Sequence, residues 1–464
     1  MNDGEEQDRE SGWLRRRLRR HLAELLRLSA PAMASRLLIL GLGFVDTVMV
    51  GRYATRELAW LSLANRSVIA FLLVVSIGLL MGVIVKTAGA YGKGELEAAG
   101  RVWRRSMPYA LGIGLVMLAL ALPAPFWMRL LAKDPVIARQ SAELVLVLAA
   151  GLPAHLLFFC STAFLEGIRR PIVPMMVLLL ANLFNVLLNY ALVFGKLGAP
   201  ELGAMGSAIA TSSIRWTLAV LAVGYIWFAP SMQAFGIRRP HGEHWADWRH
   251  QRTIGYASAV SIGAEVLAFS ALFVIAEKLG ALVLAGQEIV LNVMTIPFMV
   301  AVGIGSATAV RVGIAHGRGD RADSALAGWT GLGTAMLLMA IAAFFIAMGP
   351  EFLFALHSRD EALAAITIPA IIFIAYVTVF DGGQAVISMG LRGLGETWWP
   401  TAIQAFSYLV VMLPLSWYLG LVLGRGLLGL MEATLVASIV SVLGQSLRFH
   451  LLTRPGTISL RAAS

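Results

Sequence analysis

The sequence predicts an all-α integral membrane protein with twelve transmembrane helices, arranged as two pseudo-symmetric lobes of six helices each. Three observations lead to this fold class: an apolar composition, a series of apolar runs of membrane-spanning length, and an internal duplication. Of the 464 residues, 58% are hydrophobic and only 14% are charged, whereas soluble globular chains are less apolar and carry more charge. The composition therefore excludes an ordinary soluble enzyme or binding domain.

Apolar runs recur along the chain at roughly 20 residues each, the length that a helix needs to cross a bilayer. Only helices and closed barrels satisfy their backbone within lipid, and these runs lack the alternation of a barrel strand, so each is predicted to be a helix. The predicted spans lie near 30–51, 62–85, 107–124, 140–163, 173–194, 205–229, 254–277, 287–310, 325–349, 363–389, 399–423 and 427–447.

Positive charge is distributed unevenly between the predicted loops. The chain carries 37 Lys and Arg against 27 Asp and Glu, a net charge of +10. Most of the basic residues fall in loops and tails on the same side of the membrane as the N-terminus. This is the positive-inside pattern, so we expect a multi-pass membrane protein with both termini in the cytoplasm. The charge then indicates anionic membrane lipid, and not nucleic acid, as a partner.

Short segments of the first half of the chain recur in the second half. The segment VKTAGAYGKGE at 85–95 aligns without a gap with VRVGIAHGRGD at 310–320. Two further pairs follow in the same order: GIRR from Gly167 with GLRG from Gly390, and GAMGSAIAT from Gly203 with GLLGLMEAT from Gly426. An even number of spans in each half gives both halves the same orientation, so they form a parallel repeat. The 85–95 and 310–320 segments are each predicted to be the cytoplasmic turn between the second and third helices of a lobe.

The duplication divides the chain into five predicted parts. The two lobes span 28–229 and 253–450, joined by a cytoplasmic linker at 230–252 and flanked by a basic cytoplasmic segment at 1–27 and a cytoplasmic tail at 451–464. Two equivalent lobes that meet at a seam suit alternating access, in which one lobe rocks against the other.

Three carboxylates lie within predicted spans, with apolar sequence on both sides. Asp46 lies in LGFVDTVMVG, Glu265 in SIGAEVLAF and Asp381 in YVTVFDGGQAV. A carboxylate at the centre of a membrane helix costs about 2.5–3.5 kcal/mol on insertion scales. Such residues are tolerated where they face a water-filled cavity or bind an ion, so these three are candidate cation-binding residues.

Amide and acidic side chains accompany these carboxylates. Asn185 and Asn189, with Asn182, occupy one face of the fifth span, where they either join neighbouring helices or bind a cation. The eighth span begins with Gln287, Glu288 and Asn292, and the face of Glu288 and Asn292 is expected to meet Glu265 and Asp381. Met294 follows in the same span, and methionine suits a cavity that accepts varied shapes.

Catalytic and cofactor motifs are missing from the sequence. It contains no HExxH, GxSxG or Walker pattern, so neither an enzyme nor a cofactor is expected. A lone Cys160 excludes an internal disulfide, and we expect it to pack in the interior.

The motifs around these residues resemble those of the multidrug and toxic compound extrusion (MATE) transporters, in particular their NorM-like bacterial branch. The similarity extends over about residues 27 to 450. It is carried by VDTVMVGR, NVLLNYALVFG, ELGAMGSAIAT, AEVLAF, IVLN, ATAVRVGIAHGRGD and DGGQAVISMGLRGLGET.

The resemblance implies a V-shaped molecule around a central cavity, and it implies roles for particular residues. Asp46, Asn185, Asn189 and Thr211 match the family's polar cluster in the N-terminal lobe. Glu265 and Asp381 match its acidic pair, which binds the coupling cation. NorM-like proteins commonly have a histidine and a glutamine where this chain has Gln287 and Glu288, so Glu288 is an added carboxylate and the choice between H⁺ and Na⁺ stays open. If the ion is Na⁺, Glu265 and Asp381 are its expected ligands.

The function implied is secondary antiport in a bacterial inner membrane: a monomer exports amphipathic, mostly cationic compounds in exchange for inward H⁺ or Na⁺. Gln287, Asn292, Met294, Thr211 and Asp46 are the expected substrate contacts. The alternative is a flippase of lipid-linked oligosaccharide or peptidoglycan precursors in the same superfamily, which should have basic rather than acidic residues within its cavity.

Overall fold

The computed structural model describes residues 3–132, 134–239, 242 and 244–454, with side chains from residue 19 onward. The described residues form helices and connecting turns, with no strand among them. Most of the predicted tail at 451–464, and the side chains of much of the basic segment at 1–27, lie outside the described residues.

The helices are labelled α1 to α17 in chain order. They are α1 (Asp3–Tyr53), α2 (Thr55–Ala64), α3 (Ala70–Gly92), α4 (Leu96–Ala121), α5 (Ala124–Leu131), α6 (Pro135–Ala149), α7 (Leu152–Gly167), α8 (Ile172–Phe194), α9 (Gly203–Phe228), α10 (Arg249–Leu279), α11 (Ala281–Gly317), α12 (Arg321–Met348), α13 (Pro350–Ala355), α14 (Glu361–Gly393), α15 (Trp398–Ala405), α16 (Leu413–Trp417) and α17 (Gly426–Thr453). Short π-helical segments at Asn65–Ile69, Phe406–Met412 and Tyr418–Val422 continue neighbouring α-helices, and 3₁₀ turns cover Pro230–Phe235 and Trp245–Trp248.

Ten helical stretches within the described ranges are long and apolar enough to cross a membrane, and the number rises to 12 if each of two bent pairs is one span. The bent pairs are α4 with α5, at 57°, and α6 with α7, at 42°. Pro123 and Pro153 lie at these bends, where proline removes a backbone donor and so interrupts a helix. The prediction of an all-α membrane protein is confirmed.

The chain divides into two compact units. Unit 1 consists of residues 1–33 and 264–464, and unit 2 consists of residues 34–263. Both divisions fall inside a continuous helix, α1 in one case and α10 in the other.

The core of unit 1 is built from apolar faces of α10, α11, α14 and α17, around the fully buried Tyr408. One core cluster of unit 2 joins α7, α8 and α9, with Leu38, Ile39 and Leu42 of α1 packed against it. Polar residues inside either unit are therefore surrounded by helices whose own backbone groups are already hydrogen-bonded.

The repeated glycine-spaced segments form equivalent turns in the two units. One turn joins α3 to α4 through Gly94, with φ of +80°, and the other joins α11 to α12 through Gly319, with φ of +75°. Glycine is favoured in this left-handed conformation because it has no Cβ. The sequence identity between the two segments thus reflects the same turn made twice.

Candidate functional site

Asp381 is the centre of a polar cluster within unit 1. It lies in the middle of α14 and is only 1% exposed. Three hydrogen bonds converge on its Oδ1: the hydroxyl of Tyr408 donates at 2.5 Å, the hydroxyl of Ser438 at 3.4 Å and the amide of Gln384 at 3.5 Å. A carboxylate buried at this depth requires such donors, because an unpartnered charge in a low-dielectric interior is costly.

Glu265 belongs to the same cluster. It is partly buried on α10, and its Oε2 accepts a hydrogen bond from the amide of Gln404 at 2.6 Å. Glu265 is close enough to interact electrostatically with Asp381 and with the buried guanidinium of Arg392. Two acids and one base therefore share this part of unit 1, as the sequence predicted for the two acids.

Apart from Gln384 of α14 itself, the hydrogen-bond donors to these acids come from two helical stretches that the sequence analysis did not single out. Gln404 and Tyr408 lie one turn apart, in the stretch that contains the π-helical segment Phe406–Met412. Pro414 follows that segment and cannot donate a backbone hydrogen bond, which is one cause of local rearrangement in a helix. π-helical turns occur frequently at functional sites.

The other stretch is α17, which presents a polar stripe toward α14. Thr434, Ser438, Ser441 and Gln445 recur at spacings of three and four, and all are buried. Ser441 donates to the side-chain oxygen of Gln384 at 3.5 Å, and Gln445 donates to Ser441 at 2.9 Å. This spacing puts the four polar residues on one face of the helix. The same spacing is visible in the sequence and could have identified the stripe there.

The four candidate residues of α11 fall on two different faces. Gln287 and Met294 are buried, and Met294 packs in the core of unit 1. Asn292 is exposed, and its amide donates to the carboxylate of Glu288, which is partly buried, at 3.4 Å. Among the described residues, neither polar atom of the Gln287 side chain has a hydrogen-bond partner.

Asp46 is the centre of a second polar cluster, in unit 2. Its Oδ1 accepts from the amides of Asn185 at 3.0 Å and Asn189 at 2.9 Å, and its Oδ2 accepts from the hydroxyl of Thr211 at 2.6 Å. The fifth predicted span therefore brings two of its three asparagines onto Asp46. The third amide of that face, Asn182, donates instead to the backbone of α1 at Leu38, at 3.1 Å.

Arg215 adds a positive charge to the Asp46 cluster. It lies one turn beyond Thr211 on α9, is buried, and interacts electrostatically with Asp46. Its Nη1 donates to the carbonyl of Leu148, in the last turn of α6, at 2.9 Å. A Cβ at Gly151 would lie 2.9 Å from Cδ of Arg215, so the glycine makes room for this side chain.

The two clusters differ in chemistry. The Asp381 cluster contains two acids, Asp381 and Glu265, beside Arg392, while the Asp46 cluster combines its single acid with Arg215. Acids outnumber bases only in the Asp381 cluster, so that cluster gains more from a bound cation or proton. No group of three or more His, Cys, Asp or Glu side chains suited to a metal ion occurs in the part of the chain that the structure describes.

A model of one protein family, MatE, matches the chain twice, at residues 31–191 and again at 257–418. The chain belongs to the MatE family. The two matches cover corresponding parts of the two halves, in agreement with the internal duplication.

Relatives and solved structures extend this assignment over nearly the whole MatE chain. The probable multidrug resistance protein NorM of Caulobacter vibrioides is 34% identical over 434 residues, which cover 93% of this chain and 92% of that protein. The multidrug resistance protein PmpM of Pseudomonas aeruginosa is 31% identical over 413 residues, 87% of this chain and 85% of that protein. The eukaryotic MATE transporter AtDTX14 has a similar structure, with a TM-score of 0.85 at 18% identity over 94% of this chain and 96% of that chain.

These similarities confirm the resemblance to NorM-like MATE transporters that was read from the sequence motifs. The identity to AtDTX14 is low, so that similarity carries the fold alone. The protein is a multi-pass membrane transporter of the MatE family.

Proposed function

We propose that this MatE protein exports amphipathic, mostly cationic drugs or toxic metabolites in exchange for H⁺ or Na⁺ that enters the cell. The observation that carries the proposal is the pair of neighbouring acids, the buried Asp381 and the partly buried Glu265, within one membrane unit. The relatives named as multidrug resistance proteins support the choice of substrate class.

The pair supplies a physical basis for coupling. Two neighbouring carboxylates surrounded by apolar helices are stabilised by a cation that reduces their mutual repulsion. An inward-moving H⁺ or Na⁺ and an outward-moving organic cation both provide that charge, so each disfavours the binding of the other. Such reciprocal coupling is what an antiporter requires. Alternating access exposes the site to one side of the membrane at a time, so the two cations bind in alternation.

The hydroxyl and carboxylate oxygens around Asp381 are suited to either driving ion. Na⁺ would take the oxygens of Asp381, Glu265, Tyr408 and Ser438, since hard cations prefer oxygen ligands. A proton would reside on a carboxyl oxygen of the pair. Glu288, paired with Asn292 on α11, is proposed as a third acid of the coupling machinery.

The Asp46 cluster, with Asn185, Asn189 and Thr211, is proposed as the second cation-responsive site, and Asp46 and Thr211 also as substrate contacts. Gln287 is proposed as a substrate contact because its buried amide leaves hydrogen-bonding capacity unused among the described residues. Met294 and the exposed Asn292 complete the proposed set. We further propose that the protein works as a monomer in the inner membrane with both termini in the cytoplasm.

Transport by the full chain in proteoliposomes tests this proposal. Liposomes loaded with ethidium are given either an inward proton gradient or an inward sodium gradient, and efflux is followed by fluorescence. Asp381→Asn and Glu265→Gln are expected to reduce efflux to the level of protein-free liposomes loaded with ethidium. Both variants should still insert and remain folded. The matched control is Glu143→Gln, which makes the same change at an exposed surface pair with Arg139 and should transport like the wild type.

The gradient that drives efflux identifies the coupling ion. Efflux at the wild-type rate from both Asp381→Asn and Glu265→Gln would refute the role of the pair. No efflux from the wild type under either gradient would refute ion-coupled drug export and favour the flippase alternative.

A further inference from the structure

Unit 2 contains a long groove that the proposed transport function does not use. The groove has a volume of about 600 Å³ and runs along α4, with Leu79 of α3 on one side and the 3₁₀ turn Trp245–Trp248 at one end. Its lining is overwhelmingly apolar apart from that end.

The floor of the groove is a stripe of α4 residues spaced three and four apart: Arg105, Pro108, Tyr109, Gly112, Ile113, Val116 and Met117. Val116 is 56% exposed, so this face of the helix is uncovered within unit 2. A Cβ placed on Gly112 would have no atom within 4 Å. The glycine thus widens the groove where a larger side chain would fill it.

Aromatic and cationic side chains form the end of the groove. The rings of Trp245 and Trp248 lie 4.8 Å apart, and Tyr109 contacts both with centroid distances of 5.8 and 5.3 Å. The guanidinium of Arg252 lies 3.8 Å from the centroid of Trp245 and 4.6 Å from that of Trp248, and Arg105 lies 5.8 Å from Trp248. These contacts hold the arginines and indoles in one rigid group.

Among the described residues, the charge at this end is predominantly positive. Arg105 donates to the neutral amide of Gln251 at 2.8 Å, and Arg252 donates to the carbonyl of Trp245. Lys86 of α3 interacts with Arg105, like charge with like charge. The acidic Asp247 of the same turn accepts a hydrogen bond from the backbone of His244 at 2.8 Å.

We propose that the groove binds an anionic phospholipid, with its headgroup at Arg105, beside the positive charges of Lys86 and Arg252, and an acyl chain along α4. From Arg105 to Met117 the helix rises by about 18 Å, close to the roughly 15 Å of one leaflet's hydrocarbon. Tryptophan and tyrosine prefer the boundary between headgroups and hydrocarbon, and basic pockets between membrane helices bind anionic headgroups. With the linker in the cytoplasm, as we propose, the lipid belongs to the inner leaflet.

The basic end distinguishes this occupant from the exported compounds. An amphipathic cation would meet like charge at Arg105 and Lys86, whereas a phosphodiester meets two or three opposite charges. The lipid site shares no residue with the acidic clusters and has the opposite charge preference, so it stands whether or not the proposed export is correct.

Native mass spectrometry of the full chain, released from nanodiscs of equal parts phosphatidylcholine and phosphatidylglycerol, tests the proposal. The wild type should retain phosphatidylglycerol in preference to phosphatidylcholine. Arg105→Gln should lower that preference about fivefold, the effect of one arginine near an anionic surface. Gly112→Phe, which fills the groove, should lower the retention of both lipids.

Two control variants make the same chemical changes elsewhere in unit 2. Arg129→Gln removes an exposed charge on α5, and Gly224→Phe fills another position with no atom within 4 Å of its Cβ; both should behave like the wild type. Equal retention of the two lipids by the wild type would overturn the proposal, as would a preference unchanged by Arg105→Gln. Unchanged lipid retention in Gly112→Phe would overturn the acyl-chain position. A bound mass that is not a phospholipid, and that Gly112→Phe removes, would overturn the assignment to phospholipid.

Discussion

Asp46 and Asp381 are both aspartates buried in membrane helices, yet their hydrogen bonds are arranged differently. Donors reach both oxygens of Asp46, whereas the three hydrogen bonds at Asp381 converge on Oδ1. Asp46 also has Arg215 nearby. We infer that Asp46, besides its proposed role in cation response, contributes to the stability of its unit.

A stability prediction follows for Asp46. Asp46→Asn keeps one acceptor for the asparagine amides but loses the charge, and should lower the free energy of unfolding by about 1–2 kcal/mol, while Asp46→Leu removes all three hydrogen bonds and should lower it by about 3 kcal/mol or more. Unfolding in mixed micelles with increasing dodecyl sulfate measures both. Equal stability of the two variants would contradict this account.

The ion pair between Arg36 and Glu166 leads to a second prediction at the residue scale. The guanidinium of Arg36 lies 3.3 Å from Oε1 of Glu166, and the two side chains are 12% and 4% exposed. Removing one member leaves a buried charge without this partner, so Arg36→Met and Glu166→Gln should each lower the free energy of unfolding by about 3 kcal/mol.

The double variant distinguishes an ion pair from two separate contacts. Because it removes both charges, its loss should be smaller than the sum of the single losses, by at least about 1 kcal/mol in a double-mutant cycle. Additive losses would show that the two side chains act independently.

At the scale of helices, the sequence revealed the acids more readily than their partners. Asp381 and Glu265 interrupt apolar runs and are therefore visible in a linear reading, while Tyr408 lies in an apolar run and looks like a core residue. The π-helical segment Phe406–Met412 also disturbs the 3.6-residue period on which face assignments depend. The different faces of Gln287 and Glu288, by contrast, could be predicted, because adjacent residues of a helix point in different directions.

Close packing of α3 against the first half of α10 gives a prediction at the same scale. A Cβ on Gly82 would lie 2.1 Å from the carbonyl oxygen of Gln251, and one on Gly78 would lie 2.5 Å from Cα of Ala259. Backbone atoms cannot move aside as a side chain can, so Gly82→Val should lower the free energy of unfolding by about 3 kcal/mol or prevent folding.

A glycine of the same helix provides the control. Gly89 has no atom within 4 Å of its Cβ position, so Gly89→Val should have little effect on the dodecyl sulfate midpoint. If Gly82→Val and Gly89→Val lower the midpoint equally, the loss of stability comes from placing valine in the helix and not from the contact with α10.

For the whole molecule, the duplication was legible in the sequence, whereas the grouping of helix segments was not. The predicted lobes begin at loops, at 28 and 253, while the compact units divide at 33 and 263, within α1 and α10. The reason is packing: Leu25 and Leu28 cluster with Ala307, and Met33 lies against Gly303. A continuous helix can contribute its two ends to different units, and no local signal in the sequence marks such a division.

A parallel repeat makes a prediction about the whole molecule that an inverted repeat does not share. Lys93 and Arg318 occupy equivalent exposed positions in the repeated turns, and Lys196 and Leu423 are exposed at the opposite ends of their units' helices. Since Cys160 is buried and is the natural chain's single cysteine, introduced cysteines can be labelled against a silent background. In intact cells a membrane-impermeant maleimide should label Lys196→Cys and Leu423→Cys but not Lys93→Cys or Arg318→Cys, because the positive-inside distribution assigns both basic turns to the cytoplasm.

Permeabilised cells should allow all four to react, which controls for reactivity. Labelling of only one of the two turns would mean that the halves have opposite orientations, and labelling of both turns with protection of the other two positions would reverse the proposed topology.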